Sequence, residues 1–172
     1  MTRFLFILTI FTLLIFEGTV VQVFTAGWWD LHLTMVPRFV VVMLIFAALF
    51  LGRVQGLFMG LIFGLFYDII YGSVVGIYAF TMAIIGYFTG LVFRIFQQNI
   101  FLIWLTVLLA LVAFEFMVYG LMTLVNVTAL DLHIFFFDKL LPTLVLNMIF
   151  ALLVSYPARN ILIQMRDEEQ QI

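Results

Sequence analysis

The chain has 172 residues, of which 67% are hydrophobic and 9% charged, with a formal net charge of −2. A soluble domain is near half apolar and a quarter charged, so this composition excludes an ordinary water-soluble fold and makes lipid the solvent. The absence of cysteine excludes disulfides, thiol catalysis and thiolate metal sites. Residues 1–172 therefore read as a single integral membrane domain, with no room for a second folded unit.

In chain order, Arg3 precedes an apolar run from Phe4 to Phe24 that is long enough to span a bilayer and is interrupted by Glu17. Glu17-Gly18-Thr19 and Thr25-Ala26-Gly27 are poor signal-peptidase sites, so the expectation is an uncleaved first transmembrane helix. The connection Thr25 to Val36 carries Trp28, Trp29, Asp30 and His32, and paired tryptophans at a helix end suit a membrane interface. Pro37 is tolerated in the first turn of a second helix. The 35 residues from Pro37 to Tyr71 are too many for one pass and divide into two short ones, with the turn at Gly52-Arg53. Tyr71-Gly72-Ser73 turns into a fourth helix, Val74 to Phe96, which closes at Arg94, Gln97, Gln98 and Asn99. A fifth helix runs from Ile100 to Leu124 and contains Glu115. The connection Asn126 to Asp138, with Asp131 and His133, is expected in the interface. A sixth helix starts at Asp138-Lys139, with Pro142 in its first turns, and runs to Tyr156-Pro157. The tail Arg159 to Ile172 begins amphipathic and ends polar.

Six crossings with the N-terminus inside place Arg3, Arg53, Arg94, Arg159 and Arg166 on the inner side and only Arg38 and Lys139 on the outer side. That is the positive-inside bias, so both termini are expected in the cytoplasm.

Glycine recurs at every fourth position through the middle of the chain. Gly52, Gly56, Gly60 and Gly64 lead to Asp68, and the interval resumes at Gly72 and Gly76, with a further pair at Gly86 and Gly90. Small residues at this spacing let helix backbones approach closely in a bilayer, and the stripe drifts by about 40° per step of an ideal helix. Gly56, Gly60, Gly64, Gly72, Gly76, Gly86 and Gly90 are thus candidates for packing between helices of this chain or for docking a partner.

Charges are expensive in lipid and must pair or reach water. Glu17, Asp68 and Glu115 all fall in the outer half of their helices, where Arg38, Asp138 and Lys139 begin others. These six residues form a candidate buried charge cluster, either a network of ion pairs or a polar cavity for a ligand. Arg38, then Lys139, is the candidate base for Asp68. His32 and His133 lie near Asp30 and Asp131, but their spacing demands no metal. The sequence has no phosphate-binding glycine loop, no nucleophile elbow and no HExxH motif, so neither an enzyme nor a cofactor is expected.

Several stretches resemble the bacterial rod shape-determining MreD family. They are Val36-Pro37-Arg38-Phe39, then Gly60-Leu61-Ile62-Phe63-Gly64-Leu65-Phe66-Tyr67-Asp68, then Gly72-Ser73-Val74-Val75-Gly76-Ile77-Tyr78. Glu115 in the fifth helix and Asp138-Lys139-Leu140-Leu141-Pro142 opening the sixth also fit, and the resemblance covers nearly the whole chain. It implies an all-α polytopic protein of about six transmembrane helices in the bacterial cytoplasmic membrane, similar in fold to the substrate-binding subunits of energy-coupling-factor transporters. It implies a non-catalytic scaffold of the wall-elongation machinery, without a cofactor or nucleic-acid partner. MreC would be its direct partner; the MreB filament, the RodA glycosyltransferase and a penicillin-binding transpeptidase would be assembly partners. The alternative is a small-molecule-binding subunit of a transporter. Where the transporter relatives carry a small-residue coupling motif, this chain reads Leu13-Leu14-Ile15-Phe16.

Overall fold

A computed structural model describes residues 2–25, 34–96 and 100–170, and side chains for 2–19, 34–92 and 101–168. The expectations for Trp28, Trp29, Asp30, His32, the side chain of Arg94, and Gln97 to Asn99 lie outside these residues. The described residues are helical apart from short connections. The helices are α1 (Thr2–Thr25), α2 (Phe39–Leu51), α3 (Arg53–Tyr71), α4 (Ile77–Phe96) and α5 (Ile100–Leu124). The last helix, α6, opens with Leu132–Ile134, widens into a π-helical stretch at Phe135–Leu140 and continues as Leu141–Gln170.

Four helical segments among the described residues are long and apolar enough to cross a membrane: Thr2–Thr19, Arg53–Tyr71, Phe101–Leu124 and Leu132–Glu168. Phe39–Leu51 and Ile77–Val92 are shorter. The expected six crossings are therefore met by length in four helices.

The shortness of α2 has a physical counterpart. Its 13 residues rise only about 20 Å, against about 30 Å of bilayer core. Every residue from Phe39 to Phe50 is buried by the rest of the chain. A helix apolar on all sides belongs in a core, and α2 forms that core, wrapped by its neighbours. Residues 34–38 precede it as extended chain. The α2–α3 hairpin turns at Gly52, whose φ of 98° suits a residue without Cβ.

Around α2 the helices bury narrow stripes and leave apolar outer faces. On α1 the stripe is Phe6, Ile10, Leu14 and Glu17, one helical face. On α5 it is Val107, Ala110, Leu111, Phe114, Glu115 and Val118.

Several boundaries differ from the sequence reading: α2 starts at Phe39 rather than Pro37, and α4 at Ile77 rather than Val74. The Asn126 to Asp138 connection is helical from Leu132 onward, because the Asp131 side chain caps the helix by accepting from the His133 amide at 2.7 Å. The last helix also does not stop at Tyr156-Pro157. Ala158, Leu162 and Met165 continue its buried face into the core, and this packing outweighs the hydrogen bond that Pro157 cannot make. At the far end Thr2 Oγ1 donates to Glu168 Oε1 at 2.6 Å, so the start of α1 and the end of α6 share one side of the bundle.

Candidate functional site: an arginine-centred polar core

The glycine stripe lies between α3 and α4. A Cβ on Gly60 would fall 2.3 Å from the Met82 carbonyl oxygen, and one on Gly64 would fall 2.5 Å from the Ala79 Cα. Gly56 and Gly86 face each other, each within 2.6 Å of the other's carbonyl oxygen by the same construction. Gly90 sits against the Arg53 backbone. Gly56, Gly60, Gly64, Gly86 and Gly90 thus line one antiparallel helix contact inside the chain. Gly72 and Gly76 belong instead to the α3–α4 turn, where Gly76 has φ 108°.

Asp68 ends this stripe and is buried, but it does not pair with Arg38 or Lys139. Its Oδ2 accepts from the amides of Gly76 and Ala79 and its Oδ1 from the amide of Tyr78, each at 2.9 Å. The carboxylate satisfies the free N–H groups at the start of α4, where a negative charge also meets the positive end of the helix dipole. The expectation of a base partner for Asp68 is corrected on this ground.

Arg38 is the centre of the charge cluster. It sits at the end of the extended segment and is only 3% exposed. Its Nε donates to Glu115 Oε1 at 2.7 Å, an ion pair from the start of α2 to the middle of α5. Its Nη1 donates to the Tyr67 hydroxyl at 2.8 Å, and that hydroxyl donates to Glu17 Oε1 at 2.5 Å. Glu17 Oε2 accepts from the Val40 amide at 3.2 Å. The guanidinium lies 5.4 Å from the ring centroids of Tyr78 and Phe114 and 5.7 Å from that of Tyr67. Aromatic faces and a buried carboxylate are the environment in which arginine, with its planar fork, outperforms lysine.

A second set of polar groups holds Arg38 in place. The Thr34 amide donates to the Asp138 carbonyl at 2.8 Å and the Val36 amide to Thr143 Oγ1 at 3.1 Å. The Arg38 amide donates to Asn147 Oδ1 at 2.6 Å, while Asn147 Nδ2 donates to the Val36 carbonyl at 3.0 Å. Thr143 and Asn147, one turn apart on α6, thereby act as a side-chain ladder for the extended segment. The sequence reading missed them, together with Tyr67 and Tyr78. The available signal was two buried-type polar residues four apart in an otherwise apolar helix.

Glu17, Arg38 and Glu115 lie together, joined through the ion pair and the Tyr67 hydroxyl. Asp138 contributes a backbone carbonyl to it, and Asp68 stands apart at the α4 start. Lys139 faces a cavity of about 300 Å³ beside Arg38, lined also by Glu17, Gly18, Val36, Tyr67, Tyr71 and Tyr78. Gly18 makes room there for Tyr71, whose hydroxyl donates to the Leu14 carbonyl at 2.6 Å.

The family described as rod shape-determining protein MreD matches residues 2–165. The chain belongs to the MreD family. It is 31% identical over 132 residues to the rod shape-determining protein MreD of Bacillus subtilis (strain 168), covering 77% of each chain. No solved structure matches it. The protein is thus an all-helical membrane member of a family involved in rod-shape determination. The Arg38, Tyr67, Glu115 and Asn147 network and the Asp68 cap lie within the matched residues.

Proposed function

We propose that this protein is a non-catalytic membrane scaffold of the bacterial wall-elongation machinery, held in the cytoplasmic membrane with both termini in the cytoplasm. It binds MreC directly and connects wall synthesis by RodA and a penicillin-binding transpeptidase to the MreB filament. The observation that carries this reading is membership of the MreD family over residues 2–165. The polar core supports it. Glu17, Asp68 and Glu115 each bind groups of this chain, so their charges serve to fix helices relative to one another. The arginine asymmetry of the sequence and the shared side of Thr2 and Glu168 support the orientation.

The test is co-purification of the full chain with tagged MreC from membranes. A stoichiometric, detergent-stable complex is expected; its absence when both proteins accumulate in the same membrane would remove MreC as the direct partner. A second reading, a small-molecule-binding subunit, is favoured by one observation, the cavity lined by three tyrosines, Arg38 and Lys139.

A further inference from the structure

The cavity beside Arg38 has a surplus of hydrogen-bond donors. The Tyr78 hydroxyl has no hydrogen-bond partner among the described residues, although Tyr78 is only 7% exposed and lines the cavity. Lys139 forms no ion pair among the described residues, and its Nζ lies 5.9 Å from the Phe135 ring centroid. Arg38 commits Nε and Nη1, leaving Nη2 without a partner among the described residues. The acceptors on the wall are already used. Glu17 receives the Tyr67 hydroxyl on one oxygen and the Val40 amide on the other. The Tyr71 hydroxyl is spent on the Leu14 carbonyl.

These donors line the cavity, and a fixed arginine with a lysine and a tyrosine hydroxyl close by matches a phosphate or carboxylate. The remaining wall is apolar: the rings of Tyr67, Tyr71 and Tyr78, with Val36 and Gly18. Its volume of about 300 Å³ is at the lower end of small-molecule pockets, which run from roughly 300 to 1,000 Å³. Lys139 reaches the cavity from the π-helical stretch, a distortion that recurs at functional sites.

We propose that this cavity binds the anionic group of a small amphiphile, a phosphate or carboxylate carried on an apolar body, through Arg38, Lys139 and Tyr78. The inference rests on the ligand-binding reading of the cavity and not on the MreC reading. The same chemistry is offered by a phospholipid headgroup and by a free organic phosphate.

The experiment uses the full chain, purified and delipidated in a neutral maltoside detergent. Thermal midpoints and native mass spectra are recorded with phenyl phosphate and, separately, with phosphatidylglycerol. Phenyl glucoside and diacylglycerol serve as uncharged controls. At least one anion is expected to bind and raise the midpoint where its control does not. Response to phenyl phosphate identifies a free ligand, and response to phosphatidylglycerol alone a lipid headgroup. Tyr78→Phe should weaken that binding about tenfold or more, as loss of a hydrogen bond to a charged group does. Without ligand this variant should melt like the native chain, because the hydroxyl it removes has no partner. Lys139→Met should weaken binding similarly; if it fails to fold, Tyr78→Phe decides alone. Binding of neither anion, equal stabilisation by the controls, or unchanged affinity in Tyr78→Phe overturns the proposal. MreC co-purification is measured on the same variants. Loss of MreC without any anion binding would assign the cavity to an acidic group of that protein and also overturn the proposal. Retained MreC with no anion binding would sink the proposal and leave the scaffold reading standing.

Discussion

Replacing Arg38 with Met should be among the most damaging single changes in the polar core. In ionised form, Glu17 and Glu115 face Arg38 and Lys139, so the cluster sums to zero. Arg38→Met leaves Glu115 buried without its cation, and the other oxygen of that carboxylate, Oε2, has no hydrogen-bond partner to fall back on. Removing one member of a buried pair costs about 3–5 kcal/mol. The lost bond to Tyr67 and three aromatic contacts push the value toward the upper end. Arg38→Met with Glu115→Met restores charge balance, since Glu17 and Lys139 remain. Replacing a whole buried pair by apolar groups is often close to neutral. The double variant should therefore be more stable than Arg38→Met alone, with a coupling of about 2–3 kcal/mol. Reversible unfolding of the purified chain in mixed detergent and sodium dodecyl sulfate micelles measures all four corners of the cycle. Additivity within about 0.5 kcal/mol would refute the idea that the two residues act as a desolvated pair.

Three further outcomes follow from the packing. Gly60→Ala should destabilise the chain by about 1–3 kcal/mol, because the new Cβ meets the Met82 backbone, whereas Gly120→Ala, with nothing within 4 Å, should be neutral or slightly stabilising; equal melting midpoints for the two would dismiss the close α3–α4 contact. Asp68→Ala frees three amides at the start of α4 and should raise hydrogen exchange at Gly76, Tyr78 and Ala79, with Asp68→Asn intermediate since its amide offers a single acceptor; native-like protection in Asp68→Ala would show the cap is dispensable. Asn147→Leu strands the Arg38 amide and the Val36 carbonyl and should cost about 2–4 kcal/mol in the same micelle titration, while Ser155→Ala, an exposed intrahelical contact, should cost less than about 0.5 kcal/mol.

Much of the architecture was legible because lipid enforces simple rules. The α1 stripe Phe6, Ile10, Leu14 continues to Glu17 at helical spacing, so that acid had to point inward. Gly52 marked the α2–α3 turn, and the four-residue glycine interval marked the helix that α4 approaches. What escaped the reading was decided by partners that carry no side-chain signature. Asp68 spends its charge on backbone amides eight to eleven residues later, and no pattern of bases could reveal that. The last helix runs through Pro157 because Ala158, Leu162 and Met165 pack on the core, a tertiary effect that overrides the local break. The chain from Thr34 to Val36 looked like an ordinary loop and Pro37-Arg38 like the start of a helix, yet all five residues are extended and tied to α6 by Thr143, Asn147 and the Asp138 carbonyl.

That extended segment explains why the polar core exists where it does. A span in lipid must satisfy its own backbone, and irregular chain at membrane depth survives only where protein or a cavity surrounds it. Residues 36–38 lead into the short α2 as extended chain, with amides and carbonyls that no helix of their own satisfies. Asn147 and Thr143 answer those groups on one side, and the Glu17 carboxylate answers the Val40 amide on the other. Once a carboxylate is there, a cation must follow, and Arg38 supplies it from the same segment while Glu115 balances it from α5. The buried charges are thus a consequence of the extended chain that leads into a short core helix, and the cavity at Lys139 lies beside that same segment, lined by its Val36 and Arg38.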